Sequence, residues 1–345
     1  MSQTQITNND IKGGGVVFTS SADPTISSNT VNGLPIAVGQ VWLNTTSGEM
    51  FSCTDATTNA NVWTNTGDMS NEYMSATGGT ISTDGNFKVH IFTSSGTFTP
   101  AVGCDPTHGA KVEYLVIAGG GSGAGGNSGG GGAGGYRTSS SYGVTNIGLP
   151  VIVGAGGPFT ANIETGNYGN DTIFASITST GGGTVSTSRD GHPGGSGGGS
   201  SGTGATVIGG FGNTPSTTPS QGNNGGTNGS FTVSPWPTAG GGGAGSVGGD
   251  AAAAKQSGAG GAGSSSDITG SAVLRGGGGG GGSHGDGNGG AGGTGGGGAG
   301  ANPTQQGGNG TVNFGGGGGG SGSQASTVRP GAGGSGVVII RYKFQ

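Results

Sequence analysis

Apolar and polar residues alternate along this chain in short bursts, and nowhere do they follow a helical period. Val41-Trp42-Leu43-Asn44, the run starting Met50-Phe51-Ser52-Cys53, and Asn61-Val62-Trp63-Thr64 predict three strands, with a turn at residues 46–49. Trp42 and Trp63 are expected to pack on each other, the alternative being an exposed sugar-stacking face. Further strands are expected at 88–92, 96–99, 112–118, 135–138, 149–153, 172–178 and 337–342, separated by Gly and Asn turns. Their even spacing predicts an all-β chain: a small β module over 33–70, then a β-sandwich within 86–345. Residues 1–32 form a polar lead suited to attachment or oligomerisation. The one helix-like stretch, 251–256, is only about a turn and a half long.

Glycine changes this picture after the strand at 112–118. Of the 94 glycines, 81 follow that strand, in blocks such as 276–282, 289–300 and 315–320. The blocks are held between aliphatic strands at 112–118 and 337–342, which a flexible Gly/Ser tether would not need. Glycine loses the most freedom on ordering and has no side chain to bury, so helix and ordinary sheet are poor choices for such blocks. A left-handed helix of three residues per turn points every N–H and C=O outward, where a neighbouring helix can meet them. Seven glycines at about 3.1 Å each give a rod of about 22 Å. The blocks, mainly within 179–336, therefore predict a bundle of short antiparallel polyglycine II rods with loops at its two ends.

Charge and motifs remove several functions. The net charge of −5 lies in the front third, and only seven Lys and Arg are scattered after Gly119, so no basic stripe exists for phosphates and no nucleic-acid partner is expected. Met1–Asp10 is polar and unlike a secretion signal, and no apolar run approaches a membrane span. Cys53 and Cys104 lack zinc spacing and read as a buried small residue and a free loop thiol. His90, His108, His192 and His284 are far apart in sequence, so no metal or other cofactor is expected. GxSxG occurs at 194–198 and 281–285, but neither serine sits between a strand and a helix, and adjacent Ser283 and His284 do not make a nucleophile–base pair. No enzyme activity is expected.

The phrases VEYLVIAGGGSGAGG from Val112, GGYRT, PVIVGAGG, GNDTIFASITSTGGG and the closing GGSGVVIIRY come in an order and spacing that resemble the glycine-rich domain of bacteriophage tail fibres and tip adhesins. The resemblance covers roughly residues 86–345. TQITNNDIKGG is similar to the virion-proximal start of tail fibres, and residues 39–67 are similar to a small fibre β module. The resemblance implies a virion protein made in the host cytoplasm. Its implied partners are a host cell-surface receptor, protein or polysaccharide, and other tail proteins bound through the N-terminal segment. The implied assembly is a homotrimer.

Receptor contact would then fall to side chains between the glycine blocks. The longest such segment, 211–238, carries Phe231 and a stiff, proline-flanked Trp236, and both are candidate anchors. Phe314, Tyr168 and Phe159 are second choices, with His192 and Arg329 as polar contributors. The alternative function is a structural filament or spacer that binds no receptor. Ice binding by flat glycine-helix faces is a remoter third reading, since the blocks lack short, regular Gly-X-X repeats.

Overall fold

A computed structural model describes residues 17–344, except 26, 29, 32, 33, 47, 69–73, 102–109, 161–164, 187, 188, 203–206, 230, 232, 233, 254 and 323–327. The chain is all-β, without a helix among the described residues. It divides into two compact units, one of residues 1–75 and 102–110, the other of 76–101 and 111–345. Cys104 and His108 lie outside the described residues, as does most of the polar lead.

The first unit holds β1 (Val17–Ser20), a two-stranded ladder of β2 (Thr30–Val31) and β3 (Leu34–Pro35), then β4 (Val41–Asn44), β5 (Glu49–Asp55) and β6 (Val62–Asp68). β4, β5 and β6 form an antiparallel meander, and β1 pairs parallel to β4, so the four-stranded sheet begins earlier in the chain than residue 33. Its core gathers Phe18, Ile36, Trp42 and Cys53. Trp42 and Trp63 meet edge to face at 5.6 Å, and the Trp42 indole N–H donates to the Ala22 carbonyl. Cys53 is buried, which pushes its thiol pKa up.

The second unit opens with β7 (Ala76–Thr77), β8 (Thr80–Asp84), β9 (Phe87–Phe92), β10 (Gly96–Pro100), β11 (Lys111–Ile117), β12 (Tyr136–Gly143) and β13 (Leu149–Ile152). β14 (Thr172–Phe174) and β15 (Ile177–Ser179) form a hairpin where the pattern predicted one strand, because Ala175 turns the chain at φ 53°. β18 (Val337–Lys343) closes the fold. One sheet has the order β15-β14-β13-β10-β7 and the other β12-β11-β18-β9-β8. Phe98 and Phe174 of the first pack against His90, Tyr114, Tyr142 and Tyr342 of the second, with centroids 5.1–6.3 Å apart, which makes the pair a sandwich. On the outer face of the second sheet, Val89, Leu115, Ile117, Val337 and Ile339 bury Ile268. Ile268 belongs to the hairpin of β16 (Ser264–Ser266) and β17 (Val273–Arg275), which the glycine-rich sequence around it concealed.

Between these strands the glycine blocks run as rods, and their hydrogen bonds reveal the helix. The N–H groups of Gly119 and Ser122 go to Asn170 and Asn167, those of Gly120 and Gly123 to Gly334 and Gly331, and that of Gly121 to Gly132. Every third residue thus returns to the same neighbour, as a helix of three residues per turn requires. The rod from Gly130 to Gly135 has six neighbours. It donates to rods at 239–242, 315–318 and 180–183, and accepts from Gly199, Gly279 and Gly121 of three more. Neighbours are not all antiparallel: Gly130 and Ala133 pair with Ala239 and Gly242, which advance in the same direction. A hexagonal lattice surrounds each rod with more neighbours than alternation along the chain can make antiparallel.

Close packing of this kind excludes side chains. A Cβ on Gly131 would overlap the Gly121 carbonyl oxygen, and one on Gly317 would overlap that of Gly131. The wrapping also fixes where the loops fall. β11, β13, β15 and β17 each feed a rod that leaves the sandwich, while β12, β14 and β18 each receive one that returns. Chain reversals therefore alternate between the sandwich end and a distal end.

Candidate functional site

The segment 211–238, expected as one loop, is two loops divided by a rod. Residues 213–220 turn at the sandwich end, where Asn213 and Gln221 hold them: Gln221 is buried and donates to the Pro215 carbonyl and the Thr180 hydroxyl. Residues 221–228 then run outward, Asn223 accepting from Gly197 and Gly226 donating to Gly240. Asn223 and Asn224 made this stretch read as loop, yet their side chains point outside the contacts and bond the Gly243 carbonyl and the Gly212 N–H. Of this segment only residues 229, 231 and 234–237 belong to the distal end.

Trp236 sits there, half-buried, between buried Pro235 and Pro237, with a left-handed φ of 43°. Its backbone is seated against Gly202, where a Cβ would strike the Trp236 carbonyl. Beneath lies a floor of small polar groups. The Thr238 hydroxyl donates toward the Ser128 and Gly282 carbonyls, and Ser201 bonds Ser128. The Trp236 ring lies 5.3 Å from that of His284, and the backbone N–H of His284 donates to the Pro235 carbonyl. Two residues on, Asp286 pairs with Lys255, and Asn288 donates its N–H to the Lys255 carbonyl. The Lys255 ammonium holds the Asp286 carboxyl below the usual carboxylate range. Phe231 is half-buried on the same distal segment, its N–H donating to Asn228.

The other candidates lie elsewhere. Arg329 is exposed toward the distal end, its guanidinium 5.3 Å over the ring of Phe159. Tyr168 and His192 stack at 5.2 Å midway along the rods, and the Tyr168 hydroxyl and His192 Nδ1 share a hydrogen bond of 2.6 Å. Burial holds His192 below the ordinary imidazole range. Phe314 turns at the sandwich end, covered by the Arg275 guanidinium and next to Gly315 against Ile117. Phe314 and Trp236 therefore occupy opposite ends of the bundle.

Sequence reading missed His284 as a neighbour of Trp236, and with it Lys255, Gln256, Asp286 and Asn288. Nothing local marks these residues. The available signal was parity: counting rods from β11 assigns 252–256 and 284–288 to the same end as 229–237. The hidden rod at 221–228 breaks that count. Among the described residues no group of three or more His, Cys, Asp or Glu is placed to hold a metal. No helix there is long and apolar enough to cross a membrane.

A family model described as a glycine-rich domain matches residues 93–343, most of the chain. No curated protein matches it.

Proposed function

We propose, from the premise that this chain belongs to the glycine-rich domain family, that it is a fibre or receptor-binding protein of a bacteriophage virion. It acts without catalysis and attaches the particle to a host cell through the distal loops of its glycine bundle. One observation carries this reading: the rods spend their surface on backbone pairing, which leaves recognition to the reversals, and the distal reversals bring Trp236, Phe231 and Arg329 to one end. The phrases from VEYLVIAGGG to GGSGVVIIRY support the same assignment through their similarity to phage fibre tips.

Residues 1–32 would hold the protein to other tail proteins. Assembly as a homotrimer would present several distal ends together, so a modest affinity per site becomes strong attachment when engaged several times. Particles whose loops at 229–237 and 302–306 are shortened should assemble normally and lose most of their adsorption to host cells. Undiminished adsorption would instead assign the protein to the runner-up role, a rigid fibre spacer.

A further inference from the structure

We infer that the distal end binds a neutral saccharide on the face of Trp236, with His284 and the Lys255–Asp286 pair supplying the polar contacts. This rests on the distal loops being the attachment face, and it names the chemistry they select. Three observations converge. First, Trp236 is held at φ 43°. A bulky side chain in the left-handed region is a true outlier, and such strain persists where the surroundings fix a residue for a task.

Second, among the described residues His284 Nδ1 is buried and meets no hydrogen-bond partner, nor does the hydroxyl of Ser283 beside it. An orphaned buried polar atom is destabilising until a partner satisfies it. The imidazole turns about a soft sp³–sp² torsion, and that rotation would let Nδ1 meet an incoming hydroxyl. Third, the shelf beyond His284 is polar but electrically balanced. Lys255 and Asp286 are mostly exposed, at 63% and 69% of their side chains, and neutralise each other, while Gln256 and Asn288 stand exposed beside them.

These properties choose among ligands. A phosphate-rich or acidic surface would need a cluster of uncompensated cations, and of those described at this end Lys255 is paired with Asp286 and Arg329 lies over the Phe159 ring, away from the shelf's residues. A protein receptor is best met by an interface core depleted of charge, whereas the two half-buried aromatics of this segment, Trp236 and Phe231, border amides and the exposed Lys255–Asp286 pair. A pyranose ring has an apolar C–H face for an indole and a rim of hydroxyls for amide, imidazole and paired-charge groups, which are donors and acceptors in one place.

The test is titration calorimetry of the full-length protein against a panel of neutral hexose and N-acetylhexosamine oligosaccharides. At least one should bind saturably. Trp236→Ala should weaken it at least tenfold and Trp236→Tyr less, with His284→Ala reading the same site if the tryptophan variant does not fold. Absence of binding to every neutral oligosaccharide, or binding indifferent to both positions, overturns the proposal. Adsorption to treated cells separates it from the attachment reading: periodate oxidation of host glycans should abolish adsorption and support it. Loss on protease treatment alone would overturn the saccharide while keeping attachment, and adsorption unchanged by loop trimming would sink attachment itself.

Discussion

Gly131 shows what the interior of this protein demands of a residue. Its N–H reaches Gly318, its carbonyl accepts from Gly279, and the space where a Cβ would sit is filled by the carbonyl of Gly121. A methyl group there must push apart backbones that are fixed on every side, so the usual relief of a side chain swinging away is missing. Gly131→Ala should cost about 3 kcal/mol, the upper part of the overpacking range, read as a lowered denaturant midpoint. Gly143, at the exposed end of β12 with open space around its Cβ position, gives the contrast. Gly143→Ala should be neutral or stabilise by up to about 0.5–1 kcal/mol through the unfolded chain. Equal effects at the two sites would contradict the packing argument. The need for glycine was legible in the blocks; which glycines are surrounded on all sides was not, because that depends on neighbours far away in sequence.

At the scale of elements, β9 is the strand that ties the sandwich together, and it does so through a histidine. His90 is fully buried, 5.1 Å from Phe98 across the sandwich, and its Nδ1 lies 2.7 Å from the Gly78 carbonyl. A carbonyl only accepts, so Nδ1 carries the proton and Nε2 is left to accept from the Tyr342 hydroxyl at 3.3 Å. Burial holds the imidazole below its ordinary range, with the Gly78 bond opposing and Lys88 adding to the shift. The unfolded chain therefore binds this proton more readily than the folded one. The stability His90 contributes is fully present above pH about 6.5 and is lost as pH falls toward the folded pKa. Denaturant midpoints should drop below that pH, and His90→Gln should flatten the drop in part, His192 being shifted the same way. A variant with an unchanged slope would remove His90 from the account. The strands at 41–44, 88–92 and 112–117 were readable from alternation alone. β16 and β17 were not, because Ser264–Ser266 carries no apolar alternation and gains its place only when Ile268 enters the core.

At the scale of the molecule, most of the second unit is ordered without conventional secondary structure, its order residing in backbone bonds between rods. Hydrogen exchange should show this directly. Amides of Gly130–Gly135, bonded to surrounding rods, should exchange as slowly as those of β11, while the exposed Ala299 exchanges at least a hundredfold faster than Gly298 and Gly300 on either side. Uniformly fast exchange through the blocks would mean that the rods do not hold together in solution. The sequence by itself determined the all-β class, the strands that clamp the glycine region and the use of glycine as core, since alternation and the cost of ordering glycine are local properties. It also singled out Trp236, by the prolines beside it. The tertiary structure alone decided which end each loop occupies, that 221–228 is a rod, that Phe314 stands opposite Trp236, and that His284 lies against the indole. A rod's direction and neighbours are set by hexagonal packing among segments up to about two hundred residues apart, and a monotonous glycine block carries no local mark of either.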